Sequence, residues 1–285
     1  MLKRKNIQLS QLWFKKFALL STLFISSFTQ ANNEQATALK LYTFDCGTIK
    51  VSDMDVFSTS GDYKNEQATF TDSCYLIRHE KGDLLWDTGL PASLIGKKPM
   101  VNGVFTLSLE KSLVEQLANI DVSPKDIEYL SLSHSHFDHV GQVSSFKQAT
   151  WLTSQAELDH IASADDLKAL NDELSAMKRQ TFTQDYDVFG DGSVVILNVP
   201  GHTVGHTALQ VNLANSGTVL LSGDLYHQAK SRHLKRVPRF NVDEPQTRES
   251  FKKFEKIASV KNAKVIIQHE AKHVEKLPDI PQYLD

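Results

Sequence analysis

Residues 133–139 of this 285-residue chain read Ser133-His134-Ser135-His136-Phe137-Asp138-His139, so three imidazoles and one carboxylate lie within six residues. Alternate side chains of an extended segment point the same way, which allows His134 and His136 to face one metal ion. Asp138 and His139 lie further along the chain and can face a second ion. Imidazole and carboxylate groups suit Zn, Fe, Mn or Co. The stretch therefore predicts a metal site, and a histidine-rich surface loop is the alternative.

Short apolar segments that alternate with turn residues surround this stretch and predict strands. Residues 127–132 form such a segment and end at the histidines. Further strands are predicted at residues 39–44, 73–78, 83–86, 150–153, 194–199, 206–213, 218–221 and 264–267. Helices are predicted at residues 108–118, within 154–180 and at 244–257, whereas the proline-rich and charged residues 224–245 predict a long loop. The alternation favours an α/β fold in which two sheets pack together with helices outside.

Composition and charge are those of an ordinary globular protein, with 41% hydrophobic and 23% charged residues. The formal net charge is -3, and the first 31 residues carry five basic side chains and no acidic one. Without those five positive charges the net charge falls to -8. A chain that acidic is a poor match for a phosphate backbone, so no nucleic-acid partner is expected.

The N-terminus has the order of segments found in a secretory signal peptide. Basic residues up to Lys16 precede an apolar run at 17–28, and Thr29-Gln30-Ala31 offers small residues for cleavage. We therefore predict a signal peptide at 1–31, cleaved after Ala31, and a single domain at 32–285 in the periplasm or secreted. The run is shorter than the roughly 20 residues that span a bilayer, so no stable membrane anchor is expected after cleavage. An uncleaved anchor is the alternative.

The only two cysteines, Cys46 and Cys74, have two interpretations. Export would permit a disulfide bond between them. Cysteines with apolar neighbours are also common as buried free thiols. Because neither residue lies in a loop-rich region that would need a cross-link, free thiols are slightly favoured, and the pairing stays open.

The spacing His134-x-His136-x-Asp138-His139 resembles the signature of the metallo-β-lactamase superfamily. Four further motifs resemble that superfamily and occur in its order: Asp87-Thr88-Gly89, Pro200-Gly201-His202-Thr203-Val204-Gly205-His206, Ser222-Gly223-Asp224 and Gln268-His269-Glu270. The resemblance extends over about residues 40–270. It implies a four-layer αββα sandwich and a metal-dependent hydrolase.

The resemblance also implies two positions for divalent metal ions, with Zn expected and Fe, Mn or Co as alternatives. The first ion would be held by His134, His136 and His202, and the second by Asp138, His139 and His269. Asp224 would bridge the two ions, in agreement with the need for a carboxylate between two cations roughly 3.5–4 Å apart. Asp87 is expected to orient a ligand imidazole, and His206 is expected to be structural.

The N-terminal half is most similar to the N-acyl-homoserine lactone lactonases, through residues 41–47 and through the hairpin at 74–89. This similarity implies opening of a lactone ring, and thus quorum quenching, by metal-bound hydroxide that attacks the ester carbonyl, with Asp138 as a proton shuttle. Lactonases of this kind hold the lactone carbonyl with a Tyr shortly after the bridging Asp. Here Tyr226 and His227 lie two and three residues after Asp224, so either one is expected to hydrogen-bond the substrate.

Two alternatives stay open. A glyoxalase II-like thioesterase, or another ester or β-lactam hydrolase, would share the ligands, although such thioesterases carry a C-terminal helical domain and about sixteen residues follow His269 here. A non-catalytic metal-binding module is the second alternative. The expected partner is a small lactone or ester, with pocket walls from residues 55–70, 99–107 and 154–190. The oligomeric state stays open, with a homodimer through 58–70 and 99–107 as one alternative.

Overall fold

A computed structural model describes residues 39–285. Two β-sheets packed face to face form the centre of its fold. The signal peptide predicted at 1–31 and the domain boundary after Ala31 lie outside the described residues. Among residues 39–285, no helix is both long enough and apolar enough to cross a membrane.

Thirteen strands make up the two sheets. The first sheet has the order β4-β5-β1-β2-β3-β6-β7-β8, with β1 at Lys40–Val51, β2 at Ala68–His79, β3 at Gly82–Trp86, β4 at Met100–Asn102, β5 at Phe105–Ser108, β6 at Tyr129–Ser131, β7 at Thr150–Ser154 and β8 at Arg179–Phe182. The second sheet has the order β13-β12-β11-β10-β9, with β9 at Tyr186–Asp187, β10 at Val194–Asn198, β11 at Thr207–Leu213, β12 at Gly217–Leu221 and β13 at Lys264–Ile266.

Within residues 39–285, seven α-helices accompany the sheets. They are α1 at Leu113–Ala118, α2 at Phe137–Val140, α3 at Gln155–Ser163, α4 at Lys168–Ser175, α5 at Ala229–Leu234, α6 at Glu244–Val260 and α7 at Ala271–Val274. The longest, α6, begins where the Asp243 side chain accepts a hydrogen bond from the backbone N–H of Gln246. Such a cap satisfies one of the free N–H groups at a helix start.

The alternation of side chains along the strands generates three apolar interfaces. In β2, Tyr75 and Ile77 face the second sheet and pack with residues such as Leu209 of β11. Leu76, between them, faces the other way and packs with Leu113 of α1. On the far side of the second sheet, the buried side chains of β10 to β12 pack against α6. The layers are therefore helix, sheet, sheet and helix, and the predicted four-layer αββα sandwich is confirmed.

Four predicted elements differ from the observed ones. Residues 105–108 form β5, and the helix predicted from 108 starts only at Leu113, because Ser112 and Glu115 form a capping box there. The region 154–180 contains two helices and ends in a strand that starts at Arg179. The segment 127–132 pairs only over Tyr129–Ser131. The predicted loop 224–245 contains α5, which ends at Leu234 and is followed by Lys235 in the left-handed conformation, with φ 54°.

The preference for free thiols is wrong, because Cys46 and Cys74 form a disulfide bond. The two residues lie on the neighbouring antiparallel strands β1 and β2, and a bulge between Asp45 and Gly47 brings Cys46 to Cys74 with their Cα atoms 5.8 Å apart. Both cysteines are fully buried. The sequence could not locate this bulge, so it could not show that the two side chains meet.

The disulfide lies directly behind the loop that follows β3. The backbone N–H of Leu90 donates to the carbonyl of Cys46 at 3.0 Å. Gly89 has φ 63°, and a Cβ atom there would lie 2.3 Å from Cβ of Cys46. Only glycine fits this close approach. The Asp87-Thr88-Gly89 loop thus packs directly against the disulfide bond.

We predict that the double variant Cys46→Ala, Cys74→Ala is less stable than the wild type. The bond closes a loop with a sequence separation of 28 residues. Loss of a cross-link of this size lowers the free energy of unfolding by ~3 kcal/mol. Thermal and urea unfolding measure the change, and reductant should bring the wild type to the stability of the variant. Identical melting temperatures for the oxidised wild type and the variant would contradict the prediction.

Candidate metal centre

The predicted ligands lie on loops that follow the carboxyl ends of four strands. The run at 134–139 follows β6, and His202 follows β10. Asp224 and His269 follow β12 and β13, which are parallel neighbours in the second sheet. Asp87 follows β3, which is parallel to β6. Parallel strands deliver their carboxyl ends to the same edge of a sheet, which brings these side chains together.

The structure gathers the seven side chains into two groups. In each group, the atoms that could bind a metal lie within 4.8 Å of one another. The first group is His134, His136, His202 and Asp224, and the second group is Asp138, His139 and His269. In the first group, Nδ1 of His136 lies 2.8 Å from Nε2 of His134 and 3.1 Å from Nε2 of His202. A tetrahedral ion with Zn–N distances of ~2.0–2.1 Å would separate its ligand nitrogens by roughly 3.3 Å.

Asp224 lies between the two groups and offers one carboxylate oxygen to each. Its Oδ2 lies 3.6 Å from Nε2 of His134 and 3.4 Å from Nε2 of His202. Its Oδ1 lies 3.4 Å from Nε2 of His139 and 2.9 Å from Nε2 of His269. A carboxylate in this arrangement can bridge two cations.

Unpaired buried atoms test whether a divalent ion fits this cluster. Nε2 of His139 and Oδ1 of Asp224 are buried and make no hydrogen bond among residues 39–285, because their close contacts with each other and with His269 lack hydrogen-bond geometry. The opposite nitrogen of His139 contacts Oδ2 of Asp87 at 3.0 Å, and Nδ1 of His269 contacts the carbonyl of Thr71 at 2.9 Å. With Nδ1 held from outside, each Nε2 lone pair is directed inward, as in metal-bound histidines. The residues therefore fit a divalent cation.

The pKa values of the first group favour neutral rings. Burial, together with the neighbouring imidazoles, holds the pKa of His134 and of His136 well below its usual value. Neutral imidazoles keep the lone pair that binds a metal.

In the second group, nearby carboxylates outweigh the effect of burial on the pKa of the histidines. Burial lowers the pKa of His269, but Asp224 and Asp138 outweigh it and raise the pKa to about 9. His139 has a pKa well above its usual value, since Asp87, Asp224 and Asp138 outweigh burial. The pKa of Asp224 is well below its usual range because His227, His269 and His139 outweigh burial. The second group is therefore the more negative environment, which attracts cationic charge.

Asp87 connects its own loop to two of the ligand loops. Its Oδ1 accepts from the backbone N–H of Ser133 at 2.6 Å, next to His134. Its Oδ2 contacts His139 and also accepts from Nε2 of Gln268 at 2.9 Å. This fully buried carboxylate is thus placed to orient a ligand imidazole, the role expected from the sequence.

His206 holds the bridging carboxylate in position from behind. The backbone N–H of Asp224 donates to Nε2 of His206 at 2.9 Å, and Nδ1 of His206 donates to the carbonyl of Val199 at 3.1 Å. Burial, more than any neighbouring charge, lowers the pKa of His206 to about 3, so the ring stays neutral and can accept. Its contacts are therefore structural ones.

Sequence reasoning missed Glu157, a buried residue of α3. Its carboxylate accepts hydrogen bonds from N–H and Oγ of Ser135, from Oγ1 of Thr203 and from N–H of Gly205. It thereby joins the loop of His134 and His136 to the loop of His202. The pattern Ser154-x-x-Glu157 indicates a helix start, and Ser154 does cap α3. That signal does not reveal that the carboxylate points into the site.

The structure does not bring Tyr226 to the centre. Its hydroxyl donates to Oε1 of Glu255 at 3.0 Å, and its ring packs against Phe251. His227, in contrast, has its Nε2 3.0 Å from Oδ2 of Asp224 and packs edge-on against Phe57. Burial lowers the pKa of His227, which favours a neutral ring. Of the two candidates, only His227 faces the metal-binding groups.

A cavity of about 220 Å³ opens onto both groups. Polar side chains form its floor, namely His136, Asp138, Asp224, His227 and His269. Apolar side chains form its walls, namely Ile49, Phe57, Phe70, Phe105, Phe137 and Phe240. The segments 55–70 and 99–107 contribute walls as expected, but 154–190 does not line this cavity, and 49, 137 and 240 were missed.

Fold and site together define a class: an αββα sandwich with a His- and Asp-rich metal centre at one edge of its sheets. The profile of the Metallo-beta-lactamase superfamily matches residues 70–269. The chain belongs to the metallo-β-lactamase superfamily, and the predicted resemblance is confirmed.

Relatives of this chain carry one recurrent name. The chain is 27% identical over 256 residues to an N-acyl homoserine lactonase of Bacillus sp. This match covers 87% of this chain and all of the relative. The chain is 26% identical over 262 residues to the N-acyl homoserine lactonase AttM of Rhizobium johnstonii, with 87% of this chain and 99% of the relative covered. The predicted similarity to lactonases is therefore confirmed, and these relatives agree with the prediction of an ester hydrolase.

Solved structures show the same fold. One is an N-acyl homoserine lactone hydrolase with N-hexanoyl-L-homoserine at its catalytic metal centre, with a TM-score of 0.75 and 24% identity over 87% of this chain and 99% of that one. The dizinc quorum-quenching lactonase AidC matches with a TM-score of 0.64 and 19% identity over 82% of this chain and 88% of that one.

We predict that Glu157→Gln disturbs the first group, because a carboxamide cannot accept from all the donors that surround Glu157. Loss of hydrogen bonds to a buried charge costs about 2–3 kcal/mol of folding free energy. Displacement of the groups that orient metal ligands lowers metal affinity by about tenfold or more. Thermal unfolding and metal analysis after dialysis measure both effects. The control is Asp159→Asn, an exposed change on the same helix. Full metal content in Glu157→Gln would contradict the prediction.

Proposed function

We propose that the protein is a metal-dependent lactonase that opens the ring of N-acyl homoserine lactones with two divalent ions, Zn first and Fe, Mn or Co as alternatives. The observation that carries the proposal is the cavity whose apolar walls end on a floor of candidate ligands. The relatives named N-acyl homoserine lactonase, which match over almost their whole length, support the choice of substrate. Such a reaction would give a role in quorum quenching.

Each ion would be held by three side chains and by the shared carboxylate of Asp224. The first would lie among His134, His136 and His202, and the second among Asp138, His139 and His269. Two divalent ions supply Lewis-acid chemistry, because they lower the pKa of water and polarise a carbonyl oxygen.

Ring opening adds water across the ester bond. The water oxygen bonds to the carbonyl carbon, the ring carbon–oxygen bond breaks, and the leaving oxygen takes up a proton. Asp138 lies on the cavity floor, with Oδ2 3.7 Å from Nε2 of His269. Its carboxylate is placed to accept a proton from the attacking water and to return it to the leaving oxygen.

His227 is the side chain that we assign to the lactone carbonyl. It lies on the cavity floor beside Asp224, and Phe57 and Phe240 pack against its ring at 4.7 and 5.9 Å between centroids. This packing fixes the imidazole, so a hydrogen bond to substrate costs little ordering. Tyr226, which bonds to Glu255, is not assigned a catalytic role.

The aromatic walls explain why an acylated substrate suits this cavity. Five phenylalanines and Ile49 surround the space above the floor. An apolar acyl chain placed there gains roughly 25 cal/mol for each Å² of apolar surface removed from water. A lactone head on the polar floor and an acyl tail along the walls match the two halves of the cavity. A thioesterase would share the floor and is the second candidate.

We also propose that the chain is exported after removal of residues 1–31. The disulfide between Cys46 and Cys74 supports this, since such bonds persist in oxidising compartments. The domain at 32–285 stays a prediction, and the oligomeric state stays open, with a homodimer as one alternative.

We predict that the metal-loaded mature protein opens N-acyl homoserine lactones. Acid release is followed with a pH indicator over a panel of acyl-chain lengths, with thioesters, β-lactams and aryl esters beside them. The variant His134→Ala, His136→Ala should lose ~10³-fold or more in kcat/KM, because Lewis-acid stabilisation is worth several kcal/mol. Chelation of the wild type should have the same effect. Turnover of thioesters but of no lactone would replace the proposed substrate with the second candidate.

We predict that His227→Ala lowers kcat/KM for lactones by about 10- to 100-fold, the value of one strong hydrogen bond. Metal content should stay at the wild-type level. Tyr226→Phe is the matched control at the adjacent position, because it removes a hydroxyl that points to Glu255, and it should change kcat/KM by less than about twofold. If Tyr226→Phe is the slower enzyme and His227→Ala is unimpaired, the assignment of His227 is wrong.

A further inference from the structure

Asp72 of β2 lies between two residues that hold the loop of His269. The carbonyl of Thr71 contacts Nδ1 of His269 at 2.9 Å. On the other side, Oγ of Ser73 donates to the carbonyl of Gln268 at 3.0 Å, and Nε2 of Gln268 donates to the carbonyl of Ser73 at 3.2 Å. The backbone around Asp72 is therefore tied to a predicted ligand loop, although no sequence motif includes this residue.

The side chain of Asp72 has an unusual environment for a carboxylate. The residue is fully buried, and neither of its oxygens has a hydrogen-bond partner in the described part of the chain, residues 39–285. Buried polar groups are nearly always paired, and an unpaired buried carboxylate is strongly unfavourable. Such a group calls for a compensating cation or an ordered water.

The charges around Asp72 belong to the second group. After burial, Asp138 contributes most to a pKa of Asp72 well above the usual range, and His139, His269 and Asp87 are its other charged neighbours. Two of these neighbours are carboxylates, which make a further negative charge less favourable. A divalent cation among Asp138, His139 and His269 would make the negatively charged form of Asp72 favourable instead.

We infer that Asp72 is a charge-balancing carboxylate beside the second metal position, outside the ligand group of Asp138, His139 and His269, where it would stabilise the ion that these three hold. The inference rests on the proposed two-metal site. It makes the two positions unequal: the first is dominated by imidazoles, whereas the second is richer in carboxylate oxygen. Carboxylate-rich sites favour harder cations such as Mn²⁺, so Asp72 should affect which ion the second position accepts.

The test measures metal binding rather than turnover. The mature wild-type chain is stripped with a chelator and titrated with Zn²⁺ by calorimetry, and two binding steps are expected. In Asp72→Asn we expect one step unchanged and the other weakened by at least about tenfold, since loss of supporting groups costs 10- to 100-fold in affinity. Asp83→Asn is the control, because Asp83 is also buried but pairs with Arg78 on β2, and it should leave both steps unchanged.

Single-position variants identify the step that changes. His269→Ala leaves the first group intact, and His202→Ala leaves the second group intact. Asp72→Asn should weaken the remaining ion at least about tenfold in the His202→Ala background and less than about twofold in the His269→Ala background. An equal effect in both backgrounds, or none in either, would overturn the inference.

Thermal unfolding separates this role from a structural one. The metal-free Asp72→Asn chain should melt at the wild-type temperature or above it, because the amide removes an ionisable group that is buried without a partner, and its gain in melting temperature on adding Zn²⁺ should be smaller. Asp72→Val repeats the test if the amide does not fold. A lower melting temperature without metal, together with unchanged Zn²⁺ steps, would make Asp72 structural. Two normal steps in Asp72→Asn overturn only this inference, whereas a wild type without a second step also overturns the two-metal proposal.

Discussion

The site depends on how one buried carboxylate, that of Asp224, is shared between two groups of imidazoles. Its two oxygens lie 2.9 to 3.6 Å from the ring nitrogens of His134, His202, His139 and His269. A buried carboxylate is unfavourable unless neighbours compensate its charge, so its position constrains everything around it. Asp224 is held there by its place in the turn after β12 and by the hydrogen bond from its backbone N–H to His206.

The supports of the site converge from both sheets. Asp87 joins the loops after β3, β6 and β13, and Glu157 joins the loops of His136 and His202. Each support is a carboxylate that accepts from several donors, which fixes its own rotamer and those of its partners. The disulfide lies behind the Asp87 loop and cross-links β1 to β2. A cluster of buried charges that opposes folding is thus held by a covalent bond and three apolar interfaces.

The sequence predicts the sandwich and the seven ligand candidates because both are encoded in local patterns. Tyr226 and His227 show where such patterns fail. Tyr226 is extended, with φ -142° and ψ 135°, so consecutive side chains point in opposite directions and only one of them can face the cavity. Spacing from Asp224 alone cannot decide which one. Glu157 and Asp72 were missed for a related reason, since their roles arise from contacts between distant segments. The pairing of Cys46 depends on a bulge that has no sequence signal.

In the proposed function, substrate choice and metal binding would use different parts of this chain. The candidate ligands follow strand ends and are tied to one another by hydrogen bonds, so a change there alters the whole centre. The cavity walls come from separate segments: Phe57 and Phe70 flank one loop, Phe105 lies in β5, and Phe240 precedes α6. Phe70 stacks on His269 and Phe240 packs edge-on against His202, but these rings make no hydrogen bonds, so their replacement leaves the hydrogen bonds of the ligand loops in place. Because a fold does not fix a substrate, the proposed lactonase would distinguish a lactone from other esters through the walls and His227.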